Sequence, residues 1–429
     1  MSGRPTAIAL CMALENRETG YIELLRGNRN FRHLYLARLV SLFGDWFNLL
    51  AALALLRAIG AESAGAFGGV LILKMLPSAL LAPVAGVVAD RVSRRTLMIV
   101  ADVLRAGIVA CMLTVLWVPE PMLVYALLAC QSAVSVFFEP ARSAMLPDIV
   151  RPSELTAANA LGAATWSTML ALGSAIGGLF TAALGWHAAL VVDVGSYLLS
   201  AVLLVGIHEP DWKRSTSNGL LSGFSTMVDG VRYMQRHATV WTMALAKCGW
   251  TFGAGATTLL LTLLGERVFV EALDQGLLAV TVLYVARGIG TGSGPILARW
   301  ISGGHPPTME RLIGLSYLVG SVFYLGVSAA PSLWSAAAMV VLAHIGGATC
   351  WVFSTIRLQQ LVPSHFRGRV FAAEYAAFTL SSVLVITLYS ALADHMGLAP
   401  RTLLAAVGLT LLVPAMAWAA RGWWLARQQ

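Results

Sequence analysis

The sequence predicts an all-α integral membrane protein, with about twelve transmembrane helices arranged as two six-helix halves. Three observations carry that prediction. Of the 429 residues, 58% are hydrophobic and only 12% charged, against roughly 25% charged in a soluble domain. About twelve apolar runs of bilayer length recur along the chain. The longest polar interruption, residues 208–238, falls after the sixth run and divides the chain six plus six.

The runs cover about 34–58, 66–88, 97–117, 122–139, 157–183 and 188–207, then 239–264, 275–298, 310–329, 333–354, 370–393 and 399–421. In hydrocarbon every backbone amide must be satisfied within its own segment, so each run is read as a spanning helix. Residues 1–32 hold one short apolar patch, "AIALCMAL", too short for a signal peptide and without a small-residue cleavage site. They are read as a cytoplasmic tail. Residues 33–207 form the first bundle, 239–421 the second, and 422–429 a short tail. In the 208–238 linker, Leu220, Leu221, Phe224, Met227, Val228, Val231 and Met234 recur at helical spacing among basic residues. That pattern predicts an amphipathic helix lying at the membrane surface.

The net charge of +8 taken alone suggests a nucleic-acid partner. Its distribution argues against one. Roughly twenty Lys and Arg fall in the tails and in alternate loops beginning with 89–96, while the opposite loops hold about three, Arg57, Arg267 and Arg401. This asymmetry predicts an inner-membrane protein with both termini cytoplasmic. The five cysteines (11, 111, 130, 248 and 350) have no metal or disulfide spacing. The run "RGIGTGSGP" (287–295) lacks a Walker lysine and sits inside a spanning helix, so ATP-driven transport is not expected. No HExxH or nucleophile-and-base arrangement points to an enzyme, so no catalytic residue, metal or cofactor is expected.

The halves echo one another. "GVVADR" (86–91) closes the second run and "GPILAR" (294–299) the eighth, and "IVRPSELTAANA" (149–160) is echoed by "LVPSHFRGRVFAAE" (361–374). Both echoes recur at about 210 residues, the length of one half, a parallel repeat typical of secondary transporters. Gly86, Asp90, Arg91, Arg94 and Arg95 resemble the loop signature Gly-x-x-x-Asp-Arg-x-Gly-Arg-Arg of the major facilitator superfamily, with Ser93 in place of the signature's second Gly. "NRNFRHLYLARLVSLFGDWF" (28–47) and "FFEPARSAMLPDIV" (137–150) resemble its bacterial drug- and siderophore-exporter branch. The resemblance covers nearly the whole chain after residue 28 and is silent on substrate.

It implies a conformational latch. Asp90 would face the start of the eleventh span near Arg369 and Val370, where a helix N-terminus carries partial positive charge. Arg91, Arg94 and Arg95 would pair with Glu139 or Asp148. The alternative is that these arginines only signal topology and face anionic lipid.

Ionisable groups within spans are functional-site candidates because burying them in hydrocarbon is costly. The resemblance implies that spans 1, 4, 7 and 10 line a central cavity, and each carries a polar group near its middle: Asp45, Gln131, Lys247 and His344. Asp45 is the first candidate for proton coupling, unless it is a structural aspartate satisfied by Arg38 or by a helix break at Gly44. Asp193 and Glu374 are reserve proton carriers. Lys247, Arg287 and Lys74 suit an anionic or zwitterionic substrate, or else serve as counter-ions. His344 is read as a cavity residue or a hydrogen-bonded packing residue, Asp102 and Arg105 as a structural pair, and Trp46 and Trp250 as cavity aromatics. Gly173 with Gly177, and Gly290 with Gly294, form GxxxG pairs that let helix backbones approach closely, and the resemblance implies that spans 5 and 8, which carry them, pack together across the two halves.

These features together predict a proton-coupled exporter of an amphipathic small molecule, acting as a monomer in the bilayer with the proton gradient as its energy source. The alternatives are a flippase for a lipid-like metabolite, or a receptor or scaffold that moves nothing.

Overall fold

The computed structural model describes residues 20–208, 222–273 and 276–426. Most of the expected N-terminal tail, the linker positions Leu220 and Leu221, and the side chain of Asp90 lie outside the described residues. The helices, in order, are α1 (Tyr21–Gly27), α2 (Arg29–Ala58), α3 (Ala64–Arg91), α4 (Arg94–Met112), α5 (Pro121–Ser135), α6 (Phe138–Ile149) and α7 (Leu155–Val205). After them come α8 (Ser222–Arg236), α9 (Ala238–Ala254), α10 (Thr257–Arg267), α11 (Gly276–Ser302), α12 (Pro306–Ala329), α13 (Leu333–Leu361), α14 (Ser364–His395) and α15 (Pro400–Ala426).

Among the described residues, eleven helical stretches are long and apolar enough to cross a membrane. The twelfth crossing is inside α7, which turns at Gly185, where φ is 81°, a conformation open to glycine and costly for other residues. The two legs run in opposite directions along α2. On the first leg Thr165 meets Tyr35 and Gly177 meets Phe47, whereas on the second Asp193 sits at Gly44 and Gly206 at His33. Residue numbers rise together on one leg and oppose on the other, so the legs are two antiparallel crossings.

Two spans are broken. α5 gives way to α6 at Val136 and Phe137, because Pro140 has no amide to donate to the Val136 carbonyl. α9 gives way to α10 at Gly255, and the Thr257 hydroxyl takes up the Ala254 carbonyl at 2.8 Å.

The halves meet along two seams, α7 against α11 and α3 against α14. Spans 5 and 8 do pack together as expected, but through other glycines. Gly173 and Gly177 lie against Trp46 and Phe47 of α2, and Gly290 and Gly294 against α13, all within their own half. The close approaches between halves are Gly178 on Thr281 and Gly288 on Ala171.

α8 keeps the apolar spacing read from the linker, but its partner is protein. Met234 is buried, Tyr233 stacks on Phe366 at 4.7 Å, and Gly230 lies on the Arg369 carbonyl of α14. The last part of the expected tail is also structural. Leu24 of α1 is buried, and Asn28 caps α2 while its amide reaches the Ile149 carbonyl at 2.8 Å.

Candidate functional site

A cavity of about 310 Å³ lies inside the first bundle. From α2 it takes Arg38, Leu42, Asp45, Trp46 and Leu49, spaced so that they share one helix face. Arg38 and Leu49 are about 16 Å apart along the axis, so the cavity reaches from near the basic face, where α2 begins and α3 ends, to the middle of the bundle. Lys74, Arg105, Gln131, Glu139, Trp166 and Tyr197 contribute from α3 to α7. A smaller cavity of about 100 Å³ shares Arg38, Leu42, Glu139 and Trp166 and continues toward the basic face through Leu34 and Phe31. Beyond Leu49 the α2 positions Leu50, Leu53, Leu55 and Leu56 are buried, and that end is packed.

The floor is a polar network. The Tyr197 hydroxyl donates to Asp45 Oδ1 at 2.6 Å and accepts from Gln131 Nε2 at 2.9 Å. Lys74 donates to Asn48 Oδ1 at 2.7 Å and stands within electrostatic reach of both Asp45 and Asp193. Asp193 is fully buried against Gly44, and its Oδ2 has no hydrogen-bond partner among the described residues. Asp102 and Arg105 form the expected buried ion pair. Ser200 donates to the other Asp102 oxygen at 2.6 Å, and the Arg105 guanidinium lies 4.4 Å over the Tyr197 ring.

At the mouth Arg38 pairs with Glu139 at 3.4 Å, and Glu139 also accepts from Arg142. Two alternatives are thereby decided. Arg38 is the partner of Glu139 and not of Asp45, whose bound partner is Tyr197. Glu139 is held by α2 and by its own helix, not by the loop arginines. Of those, Arg94 does pair with Asp148, while Arg95 donates to the Leu204 and Val205 carbonyls. Arg91 ends α3, and Gly86 faces open space. The expected contact of Asp90 with α14 lies outside the described residues.

In the second half Lys247 and His344 take the counter-ion and packing readings. Lys247 forms a buried ion pair with Glu374 at 2.9 Å and lies 4.3 Å over the Trp351 ring. A candidate substrate cation and a candidate proton carrier are thus each other's partners. Arg287 donates to the Thr258 hydroxyl at 2.6 Å. His344 is buried against Tyr324 at 3.2 Å, and Trp250 packs onto Gly320 and Gly347. None of these five candidates, Lys247, Glu374, Arg287, His344 and Trp250, lines either cavity. Polar side chains inside a bundle find partners on neighbouring helices, and here those partners were available. The part of Tyr197 was missed, although Asp193, Ser196, Tyr197 and Ser200 form a polar stripe at helical spacing. Among the described residues no group of three His, Cys, Asp or Glu is placed to hold a metal.

Comparison with known proteins gives a consistent picture. The family model described as Major Facilitator Superfamily matches residues 34–386. The MFS-type transporter YfiS of Bacillus subtilis, itself uncharacterized, is 24% identical over 408 residues, covering 87% of this chain and 89% of the relative. BacE of the same organism, provisionally named a bacilysin exporter, is 27% identical over 212 residues, covering 49% of this chain and 52% of that one. Among solved structures, the nucleoside transporter NupG superposes with a TM-score of 0.69 at 12% identity, covering 92% of this chain and 99% of its own. The POT family transporter PepTSo superposes with a TM-score of 0.71 at 14% identity, covering 94% and 99%. Likeness at such identity shows the fold alone.

Proposed function

Since the chain belongs to the major facilitator superfamily, we propose that it is a proton-coupled exporter, which moves an amphipathic small molecule across a bacterial inner membrane by alternating access. The observation that carries this reading is the charge balance beneath the cavity. Three carboxylates, Asp45, Asp102 and Asp193, share the floor with two cations, Lys74 and Arg105. Arg105 is committed to Asp102, which leaves one lysine to two carboxylates. A surplus carboxylate in hydrocarbon is costly by several kcal/mol, and a bound proton removes the surplus. Asp45 faces the open volume and is the exchanging group, while Asp193 behind it is the alternate holder. Trp46 and Trp166 offer aromatic walls to the apolar part of a substrate.

Export as the direction draws on BacE and on the resemblance of the α2 and α6 sequences to the exporter branch. The charge asymmetry of the loops supports a cytoplasmic position for both termini, and our reading takes the protein to act as a monomer.

The test is accumulation by purified protein in proteoliposomes, screened over drug-like amines, peptides and siderophores, with and without a pH gradient. Asp45→Asn fixes the neutral form. It is expected to abolish gradient-driven accumulation by about tenfold or more, the scale of a lost interaction worth 1.4 kcal/mol or above, while exchange at equal pH persists. Undiminished gradient-driven accumulation by both Asp45→Asn and Asp193→Asn would remove this network from the coupling.

A further inference from the structure

At the face opposite the basic loops, the two halves are tied by contacts that no sequence motif announces. Asp394, on the last turn of α14, accepts the first two free amides of α3. Its Oδ1 takes the Ala64 N–H at 2.8 Å and its Oδ2 the Gly65 N–H at 2.6 Å. Those amides have no partner within their own helix, and the positive end of the helix dipole favours the carboxylate. One turn earlier the Ser390 hydroxyl donates to the Ala64 carbonyl at 3.3 Å, and Gly68 lets Ser390 and Ile386 approach the α3 backbone. A second tie lies beside the first. Arg57, at the end of α2, donates to Glu266 at the end of α10 at 2.6 Å, and Arg267 donates to the Glu62 carbonyl at 2.9 Å.

All five bonds join residues of the first half to residues of the second, across a face that carries few basic residues. They sit at the packed end of α2, beyond the end of the cavity at Leu49. From this placement we infer that Asp394 is a positioning residue for transport, a charged cap that holds the face opposite the basic loops shut while the cavity opens the other way. The inference rests on the alternating-access reading above. Helix caps and short charge-assisted bonds suit a gate, since they are strong when made and can be replaced by water when the halves part. Buried apolar packing alone gives no such reversible, localised contact.

The test measures the gate without needing a substrate. Leu49→Cys places a reporter at the inner end of the cavity, and a membrane-impermeant maleimide is applied from each face separately, with the chain lacking the reporter as control for native cysteines. With Asp394 intact, labelling from the basic face should dominate. Asp394→Asn keeps one acceptor and the side-chain volume but loses the charge, and should raise labelling from the opposite face several-fold. Asp394→Glu should restore most of the parent ratio. Arg57→Gln, which cuts the second tie, should shift the ratio in the same direction and serves alone if Asp394→Asn fails to fold. An unchanged ratio in the variants that fold overturns the inference. A shifted ratio in a protein that accumulates no substrate would leave the gate standing and sink the transport reading instead.

Discussion

The buried Lys247 and Glu374 pair shows how a residue's meaning depends on what faces it. A lysine within a spanning helix is legible in sequence as an expensive group that needs a reason. Which reason applies is set by a residue more than a hundred positions away, and no local spacing carries that information. The same holds for Arg287, His344 and Trp250, whose partners Thr258, Tyr324, Gly320 and Gly347 occupy neighbouring turns or helices of the second bundle. Asp45 and Gln131 were legible because their helices line the cavity, whereas Tyr197 was passed over for want of a charge. The pair also makes a prediction. Lys247→Met leaves Glu374 buried without its cation and should cost about 3–5 kcal/mol, while Lys247→Met with Glu374→Gln should recover most of that loss. Thermal unfolding of the purified variants in detergent decides it. If Lys247→Met melts with the parent protein and lowers uptake only of anionic substrates, the lysine is a substrate contact after all.

At the scale of elements, the hydropathy runs placed nearly every helix, because in hydrocarbon length and apolarity leave few other choices. What the runs did not contain was where helices break and which faces touch. The α5 to α6 break follows from Pro140 and was readable in principle. The α7 to α11 seam was not, since four glycines of α7 and α11 fit a close-packing pattern and the two pairs chosen by spacing turned out to face inward. The seam is testable at Gly288, where an added Cβ would meet the Ala171 backbone at 2.5 Å. Backbone cannot swing aside as a side-chain tip does, so Gly288→Leu should destabilise by about 1–3 kcal/mol or more through overpacking. Gly292→Leu on the same helix is the control, because nothing lies within 4 Å of its added Cβ. Melting temperatures and the yield of monodisperse protein should fall for the first and stay near the parent for the second. Equal behaviour of the two would mean that the seam is loose enough to absorb the side chain.

For the whole molecule the informative relation is between α3 and α14, which run antiparallel across the seam between halves. The start of α3 meets the end of α14 at Asp394, so the end of α3, with Asp90, stands at the same face as the start of α14. Asp394 thus caps the N-terminus of α3 at one face, and we propose that Asp90, at the end of α3, does the same for α14 at the other, as the loop signature implies. A rigid rocking motion about the middle of this helix pair cannot close both ends at once, so the two caps compete. The Asp90 half of this relation is what the loop signature implies, and its contact lies outside the described residues. The Asp394 half was not, because "SALADHMG" carries no pattern beyond an acid at a helix end. Competition has a measurable consequence. Asp90→Asn should weaken closure of the basic face and raise labelling of a Leu49→Cys reporter from that side, opposite in direction to Asp394→Asn. With each cap worth about 0.3–2 kcal/mol, either variant alone should move the ratio of accessibilities by roughly two- to thirtyfold. The double variant should return toward the parent ratio while labelling faster from both faces, since neither end is then held. If the double variant simply adds both losses of stability and keeps the ratio of one single variant, the two aspartates are independent braces, and the rocking pair is not the element that alternates.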